Sequence, residues 1–172
     1  MIPEPTGRYR KLSERNVIEF EREFRASIED VWAAVTESDR LGRWFGTYTG
    51  DPESGRVELV MTAEGDDVAS TPWNIVECTP PRILQVVSED EGLVWDLRVE
   101  LSEVDGLTKL VMRQIFDDTG GVETVGPGWE YYLDRLVAVV VGAGVEDIDF
   151  DDYYPAQAEH YRRIAEQMTD AD

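Results

Sequence analysis

A strand-like stretch and a short Trp-bearing helix come first, then five or six alternating strands punctuated by turns, then one long apolar-faced helix. That order constrains the fold more than any single residue does. A sheet of this size with one long helix to cover it must curl around that helix, and large aromatics at the seam leave room for a cavity. The order therefore predicts a container of α+β class.

The alternation is legible residue by residue. From Asn16 to Arg25, Ile18, Phe20 and Phe24 share one face and Glu19, Glu21 and Glu23 the other, which predicts a half-buried strand. Arg22 falls on the apolar side and is expected to snorkel at the strand end. Ser27 with Asp30 three residues later reads as a capping box, and Ile28, Val31, Trp32 and Val35 then follow at helical spacing. Leu41, Trp44 and Phe45 crowd a second short helical turn. Strands are expected over 56–62, through Trp73 and Ile75 to Cys78, over 83–88, over 93–101 and over 108–116. Thr79-Pro80-Pro81 ends the second of these, because proline removes a ladder donor. Gly65-Asp66-Asp67 and Asp90-Glu91-Gly92 predict turns, and Asp105-Gly106 a tight hairpin. Thr124 and Pro127 mark the start of the long helix, Trp129, Leu133, Leu136, Val137 and Val140 form its apolar face, and Gly142 and Gly144 stop it. Residues 1–15 read as a loose arm and residues 145–172 as an acidic extension ending in a short helix.

Three stretches, taken in order, resemble a known family: Ser27-Ile28-Glu29-Asp30-Val31-Trp32 leading to Leu41, Trp44 and Phe45; Glu77-Cys78-Thr79-Pro80-Pro81-Arg82-Ile83-Leu84; and Gly128-Trp129-Glu130 with Leu133 to Leu136. The likeness, over about residues 16–144, is to the START-like helix-grip (SRPBCC) superfamily, and within it to homologues of the activator of the heat-shock-protein-90 ATPase. It implies a curved antiparallel sheet of six or seven strands wrapped around the long C-terminal helix, two short helices after the first strand, and an apolar cavity between sheet and helix. Because that fold hosts carriers, cyclases and chaperone regulators, the likeness leaves activity open. The eukaryotic activator carries a separate N-terminal chaperone-binding domain, and no counterpart to it is expected in this sequence.

The chemistry-bearing residues are few. His160 is the only histidine and lies in the last predicted helix, so it is expected at the surface rather than as a catalytic base. Cys78 is the only cysteine, which rules out an internal disulfide, fits a reducing cytoplasm, and suggests a small buried hydrophobe. No nucleophilic triad can be assembled around one imidazole beyond what it could serve. The acidic pairs Asp66-Asp67, Asp117-Asp118 and Asp151-Asp152 lack calcium-loop spacing, and the Gly-rich segments near 120 and 127 do not follow a phosphate-loop pattern, so no metal and no cofactor is expected. With 37 acidic against 16 basic residues the net charge is -21, which repels nucleic acid and anionic membranes. No apolar run reaches the length of a membrane span, and the N-terminus lacks the basic and apolar regions of a signal peptide.

The expected pocket residues are Phe20, Trp44, Phe45, Met61, Trp73, Trp95, Met112, Gln114, Trp129, Tyr132 and Leu136, with Trp32 assigned to plain core packing. Arg22, Asn74, Gln114 and Tyr132 are the polar groups that could point inward. The expected partner is a small hydrophobic or aromatic molecule bound without covalent chemistry. Two alternatives stand beside it: a chaperone-linked regulator acting through an outer surface, and a cyclase or aromatase-like enzyme.

Overall fold

The computed structural model describes residues 2–62, 69–90 and 92–170. The expected turn at Gly65-Asp66-Asp67, the Asp66-Asp67 pair and Glu91 lie outside them.

Eight strands form one antiparallel sheet: β1 (Arg8–Leu12), β2 (Arg15–Phe24), β3 (Thr47–Thr49), β4 (Arg56–Val60), β5 (Thr71–Thr79), β6 (Ile83–Asp90), β7 (Leu93–Val104) and β8 (Leu107–Phe116). Their order across the sheet is β1-β2-β8-β7-β6-β5-β4-β3. The meander from β3 to β8 is thus joined to the N-terminal strands by a single long-range pairing, β2 with β8, in register from Asn16↔Phe116 to Phe24↔Thr108. Among the described residues four α-helices accompany the sheet: α1 (Ile28–Thr36), α2 (Ser38–Leu41), α3 (Val122–Val140) and α4 (Ala158–Asp170). The sheet curves around α3, the helix-grip arrangement.

Local chemistry explains most boundaries. Ser27 Oγ accepts the Asp30 backbone N–H at 3.2 Å and opens α1. The Asp30 carboxylate turns instead to Arg40, at 2.9 Å, and ties α1 to α2. Asp105 and Gly106, at φ +53° and +78°, make the two-residue β7–β8 turn in the left-handed conformation that matches strand twist. The β5–β6 pairing shifts register between Ile75 and Glu77, and Val76 in that bulge is exposed.

Several expectations change. The sheet has eight strands rather than six or seven, because residues 8–12 of the supposedly loose arm pair with β2 from Arg8↔Glu19 to Leu12↔Arg15 and the short β3 pairs with β4. The long helix starts at Val122, after Gly121 at φ +80°, so Pro127 lies inside its second turn, where the missing N–H forgoes one helical bond. The acidic tail is not peripheral. Helix α4 lies on α3 and buries Tyr161, Ile164 and Met168 in the main core. At Gly126 of α3 a Cβ would fall 2.2 Å from the Tyr161 ring, so only glycine admits this close approach.

Candidate functional site

The concave face of the sheet and α3 do not close on each other everywhere. Between them lies a cavity of about 330 Å³. Val57 and Leu59 of β4, Trp73 and Ile75 of β5, Leu84 and Val86 of β6, Leu97 and Val99 of β7, and Leu110 and Met112 of β8 form its floor. Strand alternation puts these residues on one face, since each strand contributes positions two apart. Trp129, Leu133 and Leu136, at helical spacing on α3, form the roof. Buried Val35, Trp44 and Phe45 close one end, and half-buried Thr36, Leu41 and Tyr48 stand with exposed Pro52 and Cys78 at the lip. Phe45 anchors the aromatic end, stacked on Trp129 at 5.6 Å between centroids and 5.4 Å from Trp44.

Electrostatically the wall is quiet. Among the described residues it contains no Asp, Glu, His, Lys or Arg, and every side-chain N–H or O–H donor there already has an acceptor. The Trp44 indole N–H donates to the Ala34 carbonyl at 2.8 Å, Trp73 to Thr71 Oγ1 at 3.2 Å, and Trp129 to Gln114 Oε1 at 2.6 Å. Thr36 donates to the Trp32 carbonyl at 2.7 Å and Tyr48 to the Thr36 carbonyl at 2.6 Å. Such a wall selects by shape and apolar contact.

Of the eleven residues expected at the pocket, Trp44, Phe45, Trp73, Met112, Trp129 and Leu136 line the cavity. The other five do not. Phe20 packs on the Tyr161 ring under α4, at 6.3 Å, and Gln114 is buried as the acceptor for Trp129. Tyr132 meets Phe45 edge-on from the flank of α3, at 5.1 Å. Met61 lies past the end of β4, and Trp95, opposite Ser88 near the start of β7, is half-buried away from the cavity. Asn74 faces solvent. Cys78 is exposed at the lip rather than buried, because it stands at the end of β5, where the sheet runs beyond its helical cover. Tyr48 and the aliphatic floor went unnamed in the sequence; their signal was parity, Leu97, Val99 and Leu110 sharing a face with residues that were named.

A second centre carries the polar chemistry. Arg22 does not snorkel outward but turns under α3, donating to Glu130 at 2.7 Å and Asp134 at 3.0 Å. It does so because two carboxylates on that helix face give the cation partners that solvent would otherwise supply. Glu130 also accepts the Gly7 N–H at 2.9 Å, the Thr6 hydroxyl at 2.8 Å and the Tyr161 hydroxyl. Burial alone would raise the Glu130 carboxyl; the Tyr161 hydrogen bond, the Arg22 charge and the Thr6 N–H outweigh it and hold the group below the ordinary glutamate value. Burial and the same carboxylate push the Tyr161 phenol up, so it stays a donor. Tyr153 donates to Asp134 at 2.7 Å, and His160, half-buried rather than at the surface, has Nε2 2.8 Å from the Gly7 carbonyl. These groups pin the N-terminal arm and the C-terminal segment to α3. Arg22 on an apolar strand face and Glu130 on an apolar helix face were the only sequence hints.

Among the described residues no group of three or more His, Cys, Asp or Glu is placed to hold a metal ion, and no helix is long and apolar enough to cross a membrane.

Comparison with known proteins places these features in context. A family model described as "Activator of Hsp90 ATPase homolog 1-like protein" matches residues 25–141. Among solved structures, CalU16 from Micromonospora echinospora is 24% identical over 98% of this chain and 96% of its own, with a TM-score of 0.67. EF2215 from Enterococcus faecalis, a conserved protein of unknown function, is 22% identical over 96% and 92%, with a TM-score of 0.69. DynU16, from the dynemicin biosynthetic locus, is 17% identical over 75% of this chain and 49% of its own, with a TM-score of 0.57. No curated protein matches the sequence. At these identities the likeness is one of fold.

Proposed function

The chain belongs to the family of Activator of Hsp90 ATPase homolog 1-like proteins, and from that premise we propose that it binds a small hydrophobic or aromatic molecule without covalent chemistry, in the cavity between the sheet and α3. One observation carries this reading: the cavity of about 330 Å³ has an aromatic end, an aliphatic floor and, among the described residues, no Asp, Glu, His, Lys or Arg on its wall. A molecule the size of two or three fused rings fits, and its binding would be driven by apolar area removed from water. A cyclase-like enzyme needs groups that orient or protonate an intermediate, and the donors on this wall are all engaged elsewhere. The site residues in this proposal are Trp44, Phe45, Trp73, Met112, Trp129 and Leu136, together with Tyr48 at the lip.

Titration with the neutral dye N-phenyl-1-naphthylamine tests the reading. Saturable, single-site binding is expected, with quenching of tryptophan emission because three of the five tryptophans line the cavity. Val86→Trp, which fills the floor, should abolish it with the fold retained by circular dichroism. Failure of the native protein to bind, or undiminished binding by Val86→Trp, overturns the proposal.

The family description favours one second reading, a chaperone-linked regulator acting through its outer surface. A stable complex with the host's heat-shock-protein-90 homologue, unaffected by Val86→Trp, supports it; the lack of any complex removes it.

A further inference from the structure

Hydrogen-bond bookkeeping at the lip narrows the ligand. Among the described residues five on the wall own a side-chain N–H or O–H, and each donates its hydrogen within the protein: the three indoles to Ala34, Thr71 and Gln114, the two hydroxyls to the carbonyls of residues 32 and 36. An indole nitrogen so engaged has nothing further to offer. A hydroxyl differs, because after donating its one hydrogen it retains lone pairs that accept. The side-chain oxygens of Tyr48 and Thr36 are therefore acceptors with no hydrogen left to give.

We propose that the natural ligand is an apolar molecule that carries a hydrogen-bond donor, a hydroxyl or an amine, which it presents to Tyr48 and Thr36 at the lip, and that carboxylates are turned away. The inference rests on the cavity being a ligand site. The field at the lip runs the same way. Burial raises the Tyr48 phenol, and the charges of Glu37 and Asp39 raise it further, so a negative potential meets whatever enters there. Arg40 is committed to Asp30 at 2.9 Å, and among the described residues no cation lines the cavity to receive an anion. A carboxylate drawn inside would lose its hydration and find neither donor nor counter-charge. A ligand hydroxyl or amine loses its water too, but recovers an acceptor.

Three probes of one shape decide it at neutral pH: 2-methylnaphthalene, 2-naphthol and 2-naphthoate, each followed by quenching of tryptophan emission. The expected order is naphthol tighter than methylnaphthalene by about threefold to tenfold, the usual worth of one neutral hydrogen bond. Naphthoate is expected to be weaker than naphthol by roughly a hundredfold or more. Tyr48→Phe should erase the preference for naphthol over methylnaphthalene. Thr36→Val, which keeps the backbone carbonyl that holds Tyr48, should reduce that preference in part. Naphthol binding no better than methylnaphthalene, naphthoate binding as well as naphthol, or an unchanged preference in Tyr48→Phe overturns the inference and leaves the cavity reading standing. If none of the three probes binds saturably, the cavity reading itself fails. Should Tyr48→Phe not fold, the native protein's ranking of the three probes still decides.

Discussion

The Glu130 carboxylate receives the Arg22 guanidinium at 2.7 Å, with the side chains 2% and 10% exposed, 108 residues apart in sequence. One residue before Glu130, Trp129 roofs the cavity. The helix that shapes the binding chamber is thus positioned by an ion pair on its neighbouring face, and the seating of that pair should be measurable.

Removing the cation strands a buried charge. Arg22→Met should cost about 3–5 kcal/mol by urea denaturation. Adding Glu130→Leu should recover part of that and stop short of the native value, because the Gly7 N–H and the Tyr161 hydroxyl then lose their acceptor. Full recovery in the double variant would show that the pair acts alone.

Acid should act through the same carboxylate. Its folded-state value is held below the ordinary one, so on acidification the unfolded chain takes up the proton first. The stabilisation is therefore complete above the ordinary glutamate range, near pH 4.5, and is lost as pH falls through the depressed folded value. Denaturation midpoints followed from pH 7 to pH 3 should fall more steeply for the native protein than for Glu130→Gln. Parallel curves would assign the acid limb to other carboxylates, such as Glu100, which Arg98 and Arg113 also hold low.

Gly126→Ala pushes a methyl group into the Tyr161 ring, and neither α3 nor the docked α4 can yield without repacking. A loss of about 1–3 kcal/mol is expected, with faster proteolysis of the C-terminal segment than of the sheet. Equal protection of both would mean that the ring steps aside cheaply.

The outer face of the sheet carries an alternating ladder from Arg10 through Glu19, Arg113, Glu100 and Arg98 to Glu77, in contacts of 2.8 to 3.7 Å. Among the described residues, Arg113→Met leaves the largely buried Glu19 with the 3.7 Å ion pair to Arg10, and should cost about 1–3 kcal/mol. Arg56→Met, which breaks an exposed pair with Glu58, should change stability by less than about 0.5 kcal/mol. Similar losses at both positions would show that burial of Glu19 does not set the difference.

How much could be read without coordinates differs from element to element. Leu97, Val99 and Leu101 revealed their inward face because strand side chains repeat every two residues, and Ser27 and Asp105-Gly106 revealed a helix start and a turn because those backbone shapes favour those residue types. The order of such local signals carried the helix-grip fold. Periodicity says which face a residue is on but not how far along the strand the covering helix reaches. Trp95 and Trp73 therefore looked alike, and only one of them meets the cavity.

What the chain determined by itself is everything that arises within a few residues: strand parity, caps, turns and the apolar stripe of α3. The tertiary structure alone decided that Arg22 meets Glu130, that the arm becomes an edge strand, that α4 covers one face of α3, and that the space left beside another face is lined by Trp129 rather than Phe20. Those outcomes depend on contacts between separate elements, up to 108 residues apart for Arg22 and Glu130, where the partner of a charge or the filler of a gap is set by geometry that no local pattern encodes.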